Sequence, residues 1–77
     1  MTADDLRNAG EALFGARWQR ELARALGTNH RQVAFWLTGE RRMPANLADR
    51  LDALLIARLT ALVAARRELQ HAVRRAA

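Results

Sequence analysis

Three glycines punctuate the first half of the chain, and the second half has none. Gly15, Gly27 and Gly39 each follow a short segment whose apolar residues recur at three- and four-residue steps. After Pro44 there is neither glycine nor proline. Apolar residues at that spacing share one face of an α-helix, and glycine just past the last of them is a common helix stop. β-Branched residues are few and never alternate with polar ones, so no segment reads as a strand. The expected class is all-α: about four helices, the last one long.

Helix boundaries follow from local chemistry. Thr2 with Asp5 three residues on is a capping-box pattern. It opens a helix over Asp4–Phe14, with Leu6, Ala9, Leu13 and Phe14 as its apolar stripe. A second helix runs from Arg17 to Leu26, with Leu22, Ala23 and Leu26 inward and Gly27 as its stop. Asn29 with Gln32 repeats the capping pattern and starts a helix through Thr38, with Val33, Trp36 and Leu37 on one stripe. Gly39 to Pro44 is a short basic loop. Pro44 suits the first turn of a helix, and Ala, Leu and Arg then dominate a helix over about Ala45–Arg75, continuous or broken.

Length and composition narrow the function. A chain of 77 residues holds one domain with a small core, so a partner subunit is a natural source of further burial. Its net charge is +5, and all 13 basic residues are arginine. The densest basic stretch is 17–42, where six arginines face two glutamates. Such a balance points to a polyanion, either nucleic acid or an anionic surface. The acidic opening, Asp4 and Asp5 with no apolar run behind them, does not read as a secretory signal. No apolar run approaches a membrane span, so a cytoplasmic protein without membrane association is expected. Cys, Ser, Lys and Tyr are all absent. Most nucleophiles and thiolate metal ligands are therefore missing, and His30 and His71 lie far apart in sequence. No enzyme activity, metal, cofactor or small-molecule ligand is expected.

The spacing around the second and third helices is the most specific signal. Gln19 is followed by Ala23, Gly27, Val33 and Trp36. Ala23 is small where two helices cross, and Gly27 permits the positive φ that a tight turn needs. At these residues the chain resembles the Cro/C1-type (XRE-like) helix-turn-helix family. Gln19 to Gly27 resembles its first motif helix, and Asn29 to Gly39, ending Trp36-Leu37-Thr38-Gly39, resembles its recognition helix. Glu40 to Pro44 resembles the basic loop that follows. The likeness covers about residues 15–55; Thr28 departs from it, standing where an apolar residue is more common.

The resemblance implies that the second motif helix enters the DNA major groove. A 100° step per residue, counted from an inward Val33, keeps Trp36 and Leu37 within about 60° of the core. Arg31, Phe35 and Thr38 then face outward with Ala34 at the edge, and His30 lies at the helix N-terminus. These five are the candidate base contacts; Arg31 can bond guanine bidentately, and Ala34 and Phe35 can meet a thymine methyl. Arg31 could also be simply solvated, His30 a capping or surface residue, and Phe35 packed beneath the Arg41–Arg42 loop. Gln19 resembles the family's phosphate-binding glutamine. Arg17, Arg20, Asn29, Gln32, Arg41 and Arg42 complete the candidate phosphate contacts.

The reading divides the chain into a DNA-binding domain at 1–55 and a helical extension at 56–77. Leu47, Leu51 and Leu54 would close the core. Leu55, Leu59, Leu62, Leu69 and Val73 continue the stripe at heptad spacing, with Arg66 in the seam. They form a candidate dimer interface, unless the helix folds back on the first helix. A homodimer would suit a palindromic double-stranded DNA operator and repression by promoter occlusion, since so short a chain leaves no room for a ligand-binding or activation domain. The alternative is a protein-interaction module, an antitoxin or adaptor, that holds a partner through the long helix.

Overall fold

The computed structural model describes residues 1–76; Ala77, the last residue of the 56–77 extension, lies outside the described residues. Four α-helices follow in order: α1 (Ala3–Phe14), α2 (Trp18–Leu26), α3 (His30–Thr38) and α4 (Leu47–Ala76). The described chain contains no strand. No described helix is long and apolar enough to cross a membrane.

Both expected caps form. At α1 the capping box is complete: the Asp5 N–H donates to the Thr2 hydroxyl at 3.2 Å, and the Thr2 N–H to the Asp5 carboxylate at 2.7 Å. At α3 only half of the pattern forms, with the Gln32 N–H donating to the Asn29 side-chain oxygen at 2.9 Å. Besides one-residue shifts at the start of α1 and the end of α4, two boundaries differ from the expected ones. Gly15–Arg17 forms a separate 3₁₀ turn, so α2 begins at Trp18 rather than Arg17. Pro44 lies outside the long helix. Its carbonyl accepts from the Leu47 N–H at 3.1 Å, and Ala45 and Asn46 form a turn before α4 begins.

One core joins all four helices. Leu6 and Leu13 from α1 meet Trp18, Leu22, Ala23 and Leu26 from α2. Val33 and Trp36 come from α3, and Leu47 and Leu51 from α4. No charged or polar residue is buried among the described residues. The Trp36 indole N–H is buried with no acceptor among the described residues. The inward face of α1 is Leu6, Gly10 and Leu13, with Ala9 and Phe14 half-buried beside it. Gly10 is there because the Trp18 ring lies directly on its α-carbon; a β-carbon would fall inside the ring at Cε3 and Cδ2.

The α2–α3 turn is closed by backbone bonds. Gly27 is left-handed at φ 71°, a conformation a side chain disfavours. Its N–H donates to the Arg24 carbonyl at 3.2 Å, and the Thr28 N–H to the Ala23 carbonyl at 2.9 Å, the pair of bonds that defines a Schellman motif. Thr28 thus completes the turn through its backbone. From α4, Arg50 reaches across and donates to the Leu26 carbonyl at 2.7 Å. A cation therefore sits at the negative end of α2.

α4 is unbroken over 30 residues, about 45 Å at 1.5 Å per residue. Only Leu47 and Leu51 are buried on it; Leu54 and Leu55 are half-buried against the core. From Ile56 to Ala76 every residue is exposed, so the helix does not fold back on α1. The molecule is accordingly long and thin, 56 × 21 × 21 Å.

Candidate nucleic-acid interface

The geometry of α3 follows from its two buried residues. Val33 and Trp36 pin one side to the core. That leaves His30, Arg31 and Thr38 exposed, and Ala34 and Phe35 half-buried. Arg31, Ala34, Phe35 and Thr38 therefore lie off the core face, as the 100° step implies, while His30, on the core side by that step, is exposed at the helix N-terminus. They are not equivalent, however. The Thr38 hydroxyl donates to the Phe35 carbonyl at 3.3 Å and accepts from the Glu40 N–H at 3.4 Å. Its polar atom is committed to the end of its own helix.

Phe35 is the centre of a small cluster. The Arg41 guanidinium carbon lies 5.1 Å from the ring centroid and that of Arg31 lies 5.9 Å from it. Both are within cation–π range. The Arg41 N–H also donates to the Phe35 carbonyl at 3.3 Å. The loop after α3 thus turns back over Phe35, and the ring serves as a platform for two cations from different segments. Helical spacing places Arg31 beside Phe35 on one helix, and the packing of Phe35 beneath the Arg41–Arg42 loop, the alternative weighed for it, forms here through Arg41.

A second group gathers where the N-termini of α2 and α3 approach. Ala16, Arg17, Gln19, Arg20 and His30 line one open cleft. Three candidate phosphate contacts thereby share a concavity with a candidate base contact. Asn29 and Gln32, the candidates at the start of α3, are not among the residues that line it. The Asn29 carbonyl oxygen is occupied by the cap, which leaves its NH₂ group as the free donor. Arg42 points elsewhere. With Arg41 it lines a different cleft, between the start of α1, the end of α3 and the start of α4, together with Met1, Leu37 and Met43.

Electrostatics favour an anion at this face. The described residues contain two ion pairs, Arg7 with Asp4 and Arg24 with Glu21. Arg17, Arg20, Arg31, Arg41 and Arg42 take part in neither. They are exposed, and their charge is not neutralised within the chain.

The candidate dimer residues lie outside this face, on α4. Leu59, Leu62, Leu69 and Val73 are each more than half exposed, while Leu55 is partly covered by the core. Ile56 and Val63, not counted in the leucine stripe, are exposed beside it. They lie seven residues apart, one place after Leu55 and Leu62, and widen the apolar face on one side.

No protein-family model, curated protein or solved structure gives a significant match to this chain.

Proposed function

We propose that the chain is a sequence-specific double-stranded DNA-binding regulator of Cro/C1 type. In this reading it works as a homodimer in the cytoplasm and represses by occluding promoter DNA. The observation that carries the reading is the outward face of α3. Arg31 and Phe35 stand there with Arg41 over the same ring, His30 at the helix N-terminus shares a cleft with Arg17 and Arg20, and none of these arginines joins an ion pair among the described residues. The unpaired arginines match what phosphate contact requires, and their salt-dependent attraction would supply most of the affinity. Arg31 has the donor geometry for guanine. Gln19 and the Asn29 NH₂ group supply neutral donors to the backbone.

Selection of bound DNA from a random pool tests this directly. Enrichment of one sequence, with a salt-dependent gel shift, is the expected outcome. Binding without preference over random DNA, even at low salt, would remove sequence recognition from the reading.

The uncovered apolar face of α4 favours a second reading, an antitoxin or adaptor that holds a different protein. Purification as a stable hetero-complex, with Arg31→Ala leaving activity untouched, would support that reading over the first.

A further inference from the structure

The apolar face of α4 carries more information than its exposure. Leu55, Leu62 and Leu69 occupy one heptad position, and Leu59, Arg66 and Val73 the other. Between Ile56 and Ala76 no described residue of the same chain covers this face, and apolar stripes of such length mark association surfaces. Charge along α4 is uneven. Its N-terminal half carries Asp49 and Asp52 with Arg50 and Arg58 and is close to neutral; neither aspartate joins an ion pair among the described residues. Its C-terminal half carries Arg66, Arg67, Arg74 and Arg75 against the single acid Glu68.

We infer that the occupant of this face is a second copy of the chain, with its α4 running antiparallel. The inference rests on the homodimer part of the function proposed above and assigns its geometry. In a parallel pair, equivalent residues face one another across the seam. Arg66 would then meet the partner's Arg66, and the basic C-terminal halves would lie side by side. Like charges in that position repel. Reversing one helix removes the conflict. Each residue of one seam position then faces the other seam position of the partner. One register satisfies the whole stripe: Leu59 against the partner's Leu69, Arg66 against the partner's Leu62, and Val73 against the partner's Leu55. The Arg66 stem packs on leucine while its charged head reaches water. The basic C-terminal half of each α4 lies beside the near-neutral N-terminal half of the other, with Asp52 level with the partner's last turn, and the two helix dipoles oppose, both favourable relative to a parallel pair.

The register also sets the distance between the two DNA-binding heads. Its two-fold axis passes beside Ala64. The buried Leu51 of each chain is therefore about 39 Å from the other along the helix axis, at 1.5 Å per residue. One turn of DNA is about 34 Å, so heads held apart in this way are on the scale of adjacent major-groove half-sites.

The chain has no cysteine, so a single spin label can be attached at either of two exposed positions, Ala64→Cys or Arg75→Cys, in the full chain. In the antiparallel pair, the two labels at position 64 are level with each other, whereas those at 75 are offset by about 33 Å along the axis. The expected pulsed-resonance result is a distance at 75 exceeding that at 64 by more than about 10 Å. Equal distances at both positions would mean parallel helices and would overturn the inference while leaving the homodimer intact. No dipolar signal at either position, with a monomer mass in sedimentation, would overturn the orientation and the homodimer together. A gel shift run on the same samples reports DNA recognition independently of either result.

Discussion

The indole ring of Trp18 lies on the bare α-carbon of Gly10, and this contact locks α1 against the start of α2. Gly10 sits inside a helix, where alanine would be favoured by about 1 kcal/mol. Here that preference is overruled. The first atom added at position 10 would meet the ring of a residue that is 3% exposed and has little room to move. Overpacking of this kind costs about 1–3 kcal/mol. Gly10→Ala is therefore expected to lower stability in urea despite its better helix propensity. The same change in a Trp18→Leu background should be neutral or stabilising. A Gly10→Ala protein more stable than the parent would show that the ring yields freely.

Arg50 secures the turn from behind. Its guanidinium is the one side chain from α4 that bonds to the backbone of α2, at the Leu26 carbonyl. Helix ends leave such carbonyls without intrahelical partners. A charged donor there contributes about 1 kcal/mol, held toward the low end by solvent access. Arg50→Ala should reduce stability by about that amount, and Arg50→Gln by less. Hydrogen exchange at Gly27 and Thr28 should quicken in Arg50→Ala more than exchange in α1. Uniform acceleration throughout the chain would assign Arg50 to general stability instead.

Much of this arrangement is legible in residue spacing, and the illegible parts share a cause. Leu22, Ala23, Leu26, Val33 and Trp36 read as core because helical period alone decides which way they face. Gly27 and Asn29 read as caps because their chemistry is local. Gly10 did not stand out, since an interior glycine shows only low helix propensity until its neighbour is known. That neighbour is Trp18, reached across a 3₁₀ turn that no periodicity encodes. Arg50 carries no signal in residue spacing, because its acceptor lies 24 residues away. The outward face of α3 followed from angular arithmetic. Phe35 beneath the Arg41–Arg42 loop is legible only as one of two alternatives, because the path of that loop depends on the left-handed Gly39 and on the backbone bond from Arg41 to Phe35.

The cap of α1 should titrate. The Thr2 backbone N–H first, and the Thr2 hydroxyl second, hold the Asp5 carboxyl below its ordinary value. A depressed carboxyl stabilises the fold at pH above its unfolded value, about 3.9 for aspartate, and that stability is lost as pH falls through the lower native value. Asp5→Asn is expected to melt below the parent at neutral pH. At a pH below both values the two proteins should melt together. A gap between them that persists in strong acid would mean that the carboxylate charge is not its source.

One ring joins Arg31 and Arg41, and in the proposed DNA-binding role the cluster would divide recognition between two cations. Arg31→Ala should relax specificity at one base pair, costing about 1–3 kcal/mol there and little elsewhere. Arg41→Ala should weaken all sequences alike and lower the salt slope by about one unit, the signature of one lost phosphate contact. Phe35→Leu keeps both charges but removes the platform beneath them, which is worth about 0.5–1 kcal/mol per cation at an exposed site. It should therefore blunt the preference for the selected site while leaving the salt slope unchanged. Binding measured over a salt series, on the selected site and on random DNA, separates the three. If Arg31→Ala and Arg41→Ala act equally on every sequence, the division of roles fails. If Phe35→Leu loses salt slope as Arg41→Ala does, the ring is not merely a platform, and Arg41 needs it to reach phosphate at all.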